Sequence, residues 1–296
     1  MFGKKKKYLT SAQPVKGHAA DIWRNFCANR IALVAAVVLV AIIITSCCCD
    51  LIFDYQTDAL GQNPLDRLNG PTAEHWFGTD NYGRDVFARV LYGSRYSLVF
   101  GFGCTFLSMI FGCLFGATAA YYGGWYDSLV MRILDALMCL PSMLMMLMIV
   151  AVMGRGLWPM VIAITISSVP GYTRIVRSVV LSITQQDFIE AARSCGSSDR
   201  FIVTRHILPN AIGPILVDCM MSIASTIMSA AGLSYIGMGV QPPIPEWGNM
   251  LSEAMKVMRT APHLAIFPGV ALVVTALCFN LVGDGLADAI DPKRRK

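Results

Sequence analysis

Asp218 stands inside a long apolar run, Ala211 to Gly239, where a carboxylate is costly unless it meets water or a counter-charge. Met221 and Ser225 follow at helical spacing, with Met220 and Ser222 beside them, and give the run a soft, mildly polar face. Asp218, Met221 and Ser225 are therefore the candidates for lining a path for solutes, the alternatives being a helix end, a subunit contact or plain packing. Asp135 is the other carboxylate within an apolar run. Catalytic chemistry finds less support. The four histidines, His18, His75, His206 and His263, are scattered, and neither an HExxH nor a GxSxG pattern occurs. The glycine-rich loop that cradles nucleotide phosphates is also missing. Ten cysteines include no CxxC pair, and most sit in apolar runs, where they read as small packing residues rather than metal ligands.

A second group of residues promises mechanical work. The segment Asp187 to Asn210 reads as two short helices joined by a turn. Asp187 is expected to cap the first helix while Glu190, three residues on, reaches back to the cap amide. Gly196 then supplies the positive φ that ends it. Ser197 or Ser198 is expected to cap the second helix, and Pro209 to stop it or begin the next apolar run. Phe188, Ala191, Ala192 and Cys195 should share a face, shallow at its paired alanines, that a neighbouring protein can approach closely. The result would be a stiff knob.

A third group lies in Phe77 to Gly93. Its first half is turn-like; its second half has Val86, Phe87, Val90 and Leu91 at helical spacing, an Asp85 to Arg89 pair four apart, and Gly93 as a stop. A short surface helix is expected there. Asp80, Arg84 and Asp85 are the candidates for contact with an external delivery partner, against the plainer role of guiding the chain into the next run.

These groups need elements to hold them, and composition says which. Of 296 residues, 55% are hydrophobic and only 15% charged, and the mean hydropathy is positive. Such a chain belongs in a bilayer, where a helix of about 20 apolar residues is needed to cross. Six runs qualify: Ile31 to Cys49, Ser97 to Ala120, Ile133 to Met153, Leu157 to Thr173, Ala211 to Gly239 and Leu264 to Gly283. Gly112 and Gly116 in the second are spaced for close helix packing. The net charge of +5 is concentrated at Lys4 to Lys7, Arg174 to Arg205 and Lys293 to Lys296, a topology signal rather than a nucleic-acid surface. Both termini are then cytoplasmic. The implied order is an inner segment 1–30, a first span 31–49, an outer loop 50–96, a five-helix core 97–283 containing the inner loop 187–209, and an inner basic tail 284–296. Ile44-Thr45-Ser46-Cys47 resembles a lipoprotein processing box, but its apolar stretch starts too late and runs too long for a signal segment.

Within this layout Glu190-Ala191-Ala192, Gly196 and Leu208-Pro209 resemble the EAA loop of ABC importer permeases, with His206 where the general pattern has an apolar residue. Arg205 to Asn210 looks like the peptide-permease branch of that family. Phe77 to Gly93, Gly232 to Pro243 with Trp247 to Met250, and Asn280 to Leu286 with Asp291-Pro292 resemble its C-type subunit. The resemblance implies an all-α membrane protein of six transmembrane helices, with the type I ABC importer permease fold and cytoplasmic coupling helices. It implies no catalysis and no cofactor on this chain. ATP and Mg would sit on two cytoplasmic ABC ATPase subunits, beside a second homologous permease and an extracytoplasmic peptide-binding protein, in the bacterial inner membrane. Asp187, Glu190, Ala191, Ala192, Gly196, Arg200, Leu208 and Pro209 would couple to the ATPases, and dipeptides or oligopeptides would be the cargo. Nickel or another small solute is the alternative cargo within the family. An ion-gradient secondary transporter is the alternative outside it, and the internal repeat often seen in such proteins is not visible.

Overall fold

Backbone in hydrocarbon must satisfy its own amides and carbonyls, and the computed structural model, which describes residues 18–290, does so with helices and no strand among those residues. Helix α1 (His18–Ala28) meets α2 (Arg30–Ile52) at Asn29, whose side chain accepts from the Ala32 amide at 3.2 Å. A segment of turns leads to α3 (Val86–Tyr122). Then come α4 (Gly124–Met138), α5 (Ser142–Met153), α6 (Leu157–Thr184), α7 (Asp187–Ser194), the short α8 (Asp199–Phe201), α9 (Leu208–Tyr235), α10 (Trp247–Met255) and α11 (His263–Ile290). Among the described residues five spans are long and apolar enough to cross a membrane by themselves: α2, α3, α6, α9 together with α8 and the turn before it, and α11.

The third expected span is broken. A continuous helix from Ile133 to Met153 was anticipated, yet α4 and α5 meet at an angle of 85°. Pro141 lies in the break; it has no amide to donate and disfavours helical geometry in the residue before it. Asp135, taken as a charge within that span, instead forms an ion pair with Arg174 of α6.

The expected short surface helix ending at Gly93 is also revised. Asp85 caps α3 by accepting from the Ala88 amide at 2.9 Å, and the helix then runs without interruption for 37 residues. At about 1.5 Å per residue this exceeds the roughly 30 Å hydrocarbon core, so one end projects beyond it. Gly93 stops nothing. A Cβ there would lie 2.9 Å from Trp247 Cδ1, and the glycine makes room for an indole whose Nε1 donates to the Val90 carbonyl at 3.0 Å.

Small residues set the close contacts inside the bundle. A Cβ on Gly112 would lie 2.5 Å from Tyr172 Cβ, and one on Gly116 would lie 2.6 Å from the Thr173 carbonyl oxygen, so this pair brings α3 against α6. Ala35, Leu39, Ile223, Ile227, Cys278 and Phe279 join α2, α9 and α11 in one buried cluster. Helix α11 continues past Gly283, where its span was expected to end, and carries Asp284 and Asp288 on its last two turns. Asp291 and the basic residues Lys4 to Lys7 and Lys293 to Lys296 lie outside the described residues.

Candidate functional site

The hairpin after α6 begins with a correction. Gln186, not Asp187, occupies the position before α7, and its side chain makes no capping bond. Asp187 and Glu190 both fall in the first turn instead, where their negative charge complements the positive end of the helix. The far end is as expected. Gly196 has φ +78°, its amide donates to the Arg193 carbonyl at 2.9 Å, and the Ser197 amide donates to the Ala192 carbonyl at 3.1 Å. This double bond pattern closes the helix tightly around a left-handed glycine.

The second arm is longer than a short helix. Ser198 accepts from the Phe201 amide at 3.4 Å, and α8 then passes through a wider turn, Ile202–Ile207, straight into α9. That turn bonds Leu208 back to Val203, five residues away, and so admits Pro209, which has no amide to contribute. Arg200 and Pro209 are exposed and Leu208 is half-buried. The arm is one stalk with the fifth span.

Sequence reasoning missed what fixes the hairpin to the bundle. Ile189 is fully buried with Ile202 and Ile207, against Val176 and Val180 of α6 and Ala117 and Ala120 of α3. Ala192 is half-buried on the same side, while Phe188, Glu190, Ala191 and Cys195 are exposed. The expected docking face therefore loses Ala192 and keeps the other three. The three-residue spacing of Ile189 and Ala192 was the available signal. His206 lies beside both Phe188 and Phe201, with ring centroids 6.5 and 5.5 Å away, so an aromatic group marks the exposed surface between the two arms.

Tyr121, at the end of α3, was also missed. Its hydroxyl donates to Asp199 Oδ1 at 2.6 Å, and the Arg193 guanidinium sits 5.1 Å from its ring centroid. One side chain thus touches both arms.

On α9 the structure brings together the three path candidates. Asp218, Met221 and Ser225 lie along one stripe continued by Met228; Asp218 is half-buried and the others exposed. The cations of the adjoining helix α6 are already neutralised. Arg177 grips Asp127 of α4 through two bonds of 2.6 Å, and Arg174 pairs with Asp135.

The candidates before α3 are reassigned. Asp80 and Arg84, expected to face a partner, are 7% and 2% exposed and belong to an internal quartet with Arg89 and Glu253. Arg84 Nε lies 2.6 Å from Asp80 Oδ2, and both arginines reach Glu253 Oε2, at 3.0 and 3.3 Å. Asp85 spends its carboxylate on the α3 cap and on His75 Nδ1 at 2.7 Å. Buried ions must be paired, and these pair within the chain. Glu253 thereby pins α10 to the start of α3, while Glu246, buried, caps α10 itself by accepting from the Gly248 and Asn249 amides at 3.0 and 2.9 Å. Burial pushes the Glu246 carboxyl up from its usual value.

With this geometry in hand, the chain can be set beside known proteins. Residues 108–296 match the family described as binding-protein-dependent transport system inner membrane component, and residues 19–71 match the N-terminal TM domain of oligopeptide transport permease C. The glutathione transport system permease protein GsiD of Escherichia coli O6:K15:H31 is 46% identical over 274 residues, covering 92% of this chain and 90% of that protein. GsiD of Shigella boydii serotype 4 matches to the same extent. Among solved structures, an inward-facing form of the MetNI methionine ABC transporter aligns with a TM-score of 0.51 at 19% identity, covering 66% of this chain and 94% of that one. At that identity the likeness speaks for the fold, an all-helical type I ABC importer permease.

Proposed function

This chain belongs to the binding-protein-dependent inner membrane components of ABC importers, in their peptide- and nickel-type branch, and from that membership we propose that it forms half of a translocation path for peptide-like cargo. A second homologous permease supplies the other half. Two cytoplasmic ATPase subunits hold ATP and Mg and supply the work, and an extracytoplasmic binding protein delivers the cargo. Both termini face the cytoplasm, in keeping with the distribution of basic residues.

The observation that carries this reading is the continuity of α8, the turn Ile202–Ile207 and α9, with α7 clamped to it by Ile189 and Tyr121. An ATPase pushing on the exposed residues Asp187, Glu190, Ala191 and Arg200 moves α9 itself, because no slack loop intervenes to absorb the displacement. Helix α9 in turn carries the stripe of Asp218, Met221 and Ser225. The peptide-like cargo is supported by the glutathione transport named for the 46% identical relative.

The test is reconstitution of the full complex in proteoliposomes with its binding protein. Uptake of glutathione or a short peptide should require ATP and stop with vanadate. Uptake that follows a proton or sodium gradient and ignores ATP overturns the mechanism; nickel uptake without peptide uptake overturns the cargo.

A further inference from the structure

Asp218 has no hydrogen-bond or ion-pair partner among the described residues, although it lies half-buried in a membrane-spanning helix. Such a carboxylate needs a cation or water to be tolerated at that depth. The basic side chains of the adjoining helix α6, Arg174 and Arg177, are already held by Asp135 and Asp127.

The rest of the stripe has the same one-sided chemistry. Ser225 donates its hydroxyl to the Ser222 carbonyl at 2.9 Å, and Ser229 donates to the Ser225 carbonyl at 2.9 Å. Their protons are spent on the helix, so what they turn outward is oxygen lone pairs. Met221 and Met228, both exposed, add thioethers, which accept weakly and donate nothing. From Asp218 to Ser229 these five side chains therefore offer acceptors headed by one negative charge. The complementary ligand is rich in donors and positively charged.

We propose that Asp218, with the acceptor oxygens of Ser225 and Ser229 beyond it, receives the primary ammonium group of the cargo during passage. The inference rests on the transport reading above and adds the chemical group by which cargo is recognised inside the membrane. An ammonium fits because it carries three donors and its charge is met by a carboxylate that no described residue neutralises. Methyl thioethers flanking the carboxylate suit side chains of varied size without selecting among them.

The experiment compares wild type and Asp218→Asn in ATP-driven proteoliposomes containing the whole complex. The probes are glutathione and trialanine, each with its N-acetyl derivative, delivered on preloaded binding protein. Scoring each probe as the ratio of variant to wild-type uptake cancels the binding protein's own preference. Expected is a loss of at least tenfold for the free-amine probes, a ratio near one for the N-acetyl probes, and recovery of most free-amine uptake in Asp218→Glu. Equal ratios for free and acetylated probes overturn the proposal while leaving the transport reading intact. So does dissociation of the second permease from the Asn variant, which would make Asp218 a subunit contact. If wild type carries neither free-amine probe, the peptide-like cargo falls and this inference with it.

Discussion

The Tyr121 hydroxyl donates a 2.6 Å hydrogen bond to Asp199 Oδ1 across 78 residues of sequence, tying the C-terminal end of α3 to the arm that becomes α9. The same ring faces Arg193 at the end of α7. Both arms of the hairpin are thereby referred to one fixed point.

Removing that bond should loosen the hairpin without unfolding the bundle. A neutral hydrogen bond contributes about 1 kcal/mol and one to a charged group somewhat more, so Tyr121→Phe should leave insertion and abundance unchanged. Uptake should drop several-fold relative to ATP hydrolysis. The measurement is the ratio of cargo imported to ATP consumed in proteoliposomes, with Asp199→Asn expected to behave alike.

Gly196 separates two kinds of substitution. A Cβ there meets nothing within 4 Å, so Gly196→Ala faces only the strain of its φ of +78°, about 1–2 kcal/mol. Gly196→Pro also fixes φ at the wrong sign and removes the amide that donates to Arg193. Alanine should reduce ATPase association slightly and proline should abolish it, as read by co-purification from membranes.

The seam between α3 and α6 should resist enlargement. Gly112→Leu places carbon against Tyr172 Cβ and the Thr173 amide, and overpacking of this kind costs about 1–3 kcal/mol or more when backbone is struck. Gly103→Leu, which meets nothing within 4 Å on the same helix, is the control. Thermal aggregation in detergent should occur several degrees earlier for the first variant and unchanged for the second.

The cap around α10 should respond to pH through Glu246. Its folded carboxyl is raised by burial above the ordinary value of 4.5, so the folded state holds the proton more tightly than the unfolded one. The favourable contribution is fully present below about 4.5 and fades as pH rises through the raised value. Proteolysis of the loop around α10 should become faster over that range in wild type, and Glu246→Gln should flatten the dependence.

The apolar runs were legible because a bilayer imposes a length and a composition on any helix that crosses it, and α2, α3, α6, α9 and α11 follow that demand. The turn at Gly196 was legible too, since a helix closed by a left-handed residue calls for glycine at that one place. The hairpin's anchoring was not. Ile189 looks like any other apolar residue until α6 and the turn Ile202–Ile207 enclose it.

What the sequence by itself determined is that the chain crosses a membrane in long apolar helices and that a glycine-closed turn stands at Gly196, because both follow from local composition and backbone preference. Only the tertiary structure decided which charges are spent. Asp135 looked as free as Asp218 in one dimension and Asp85 read as the partner of Arg89, yet Asp135 pairs with Arg174, Asp85 with His75, and Arg89 joins Arg84 on Asp80 and Glu253. Partnership between separate elements depends on distances of a few ångströms that the spacing within one helix does not encode.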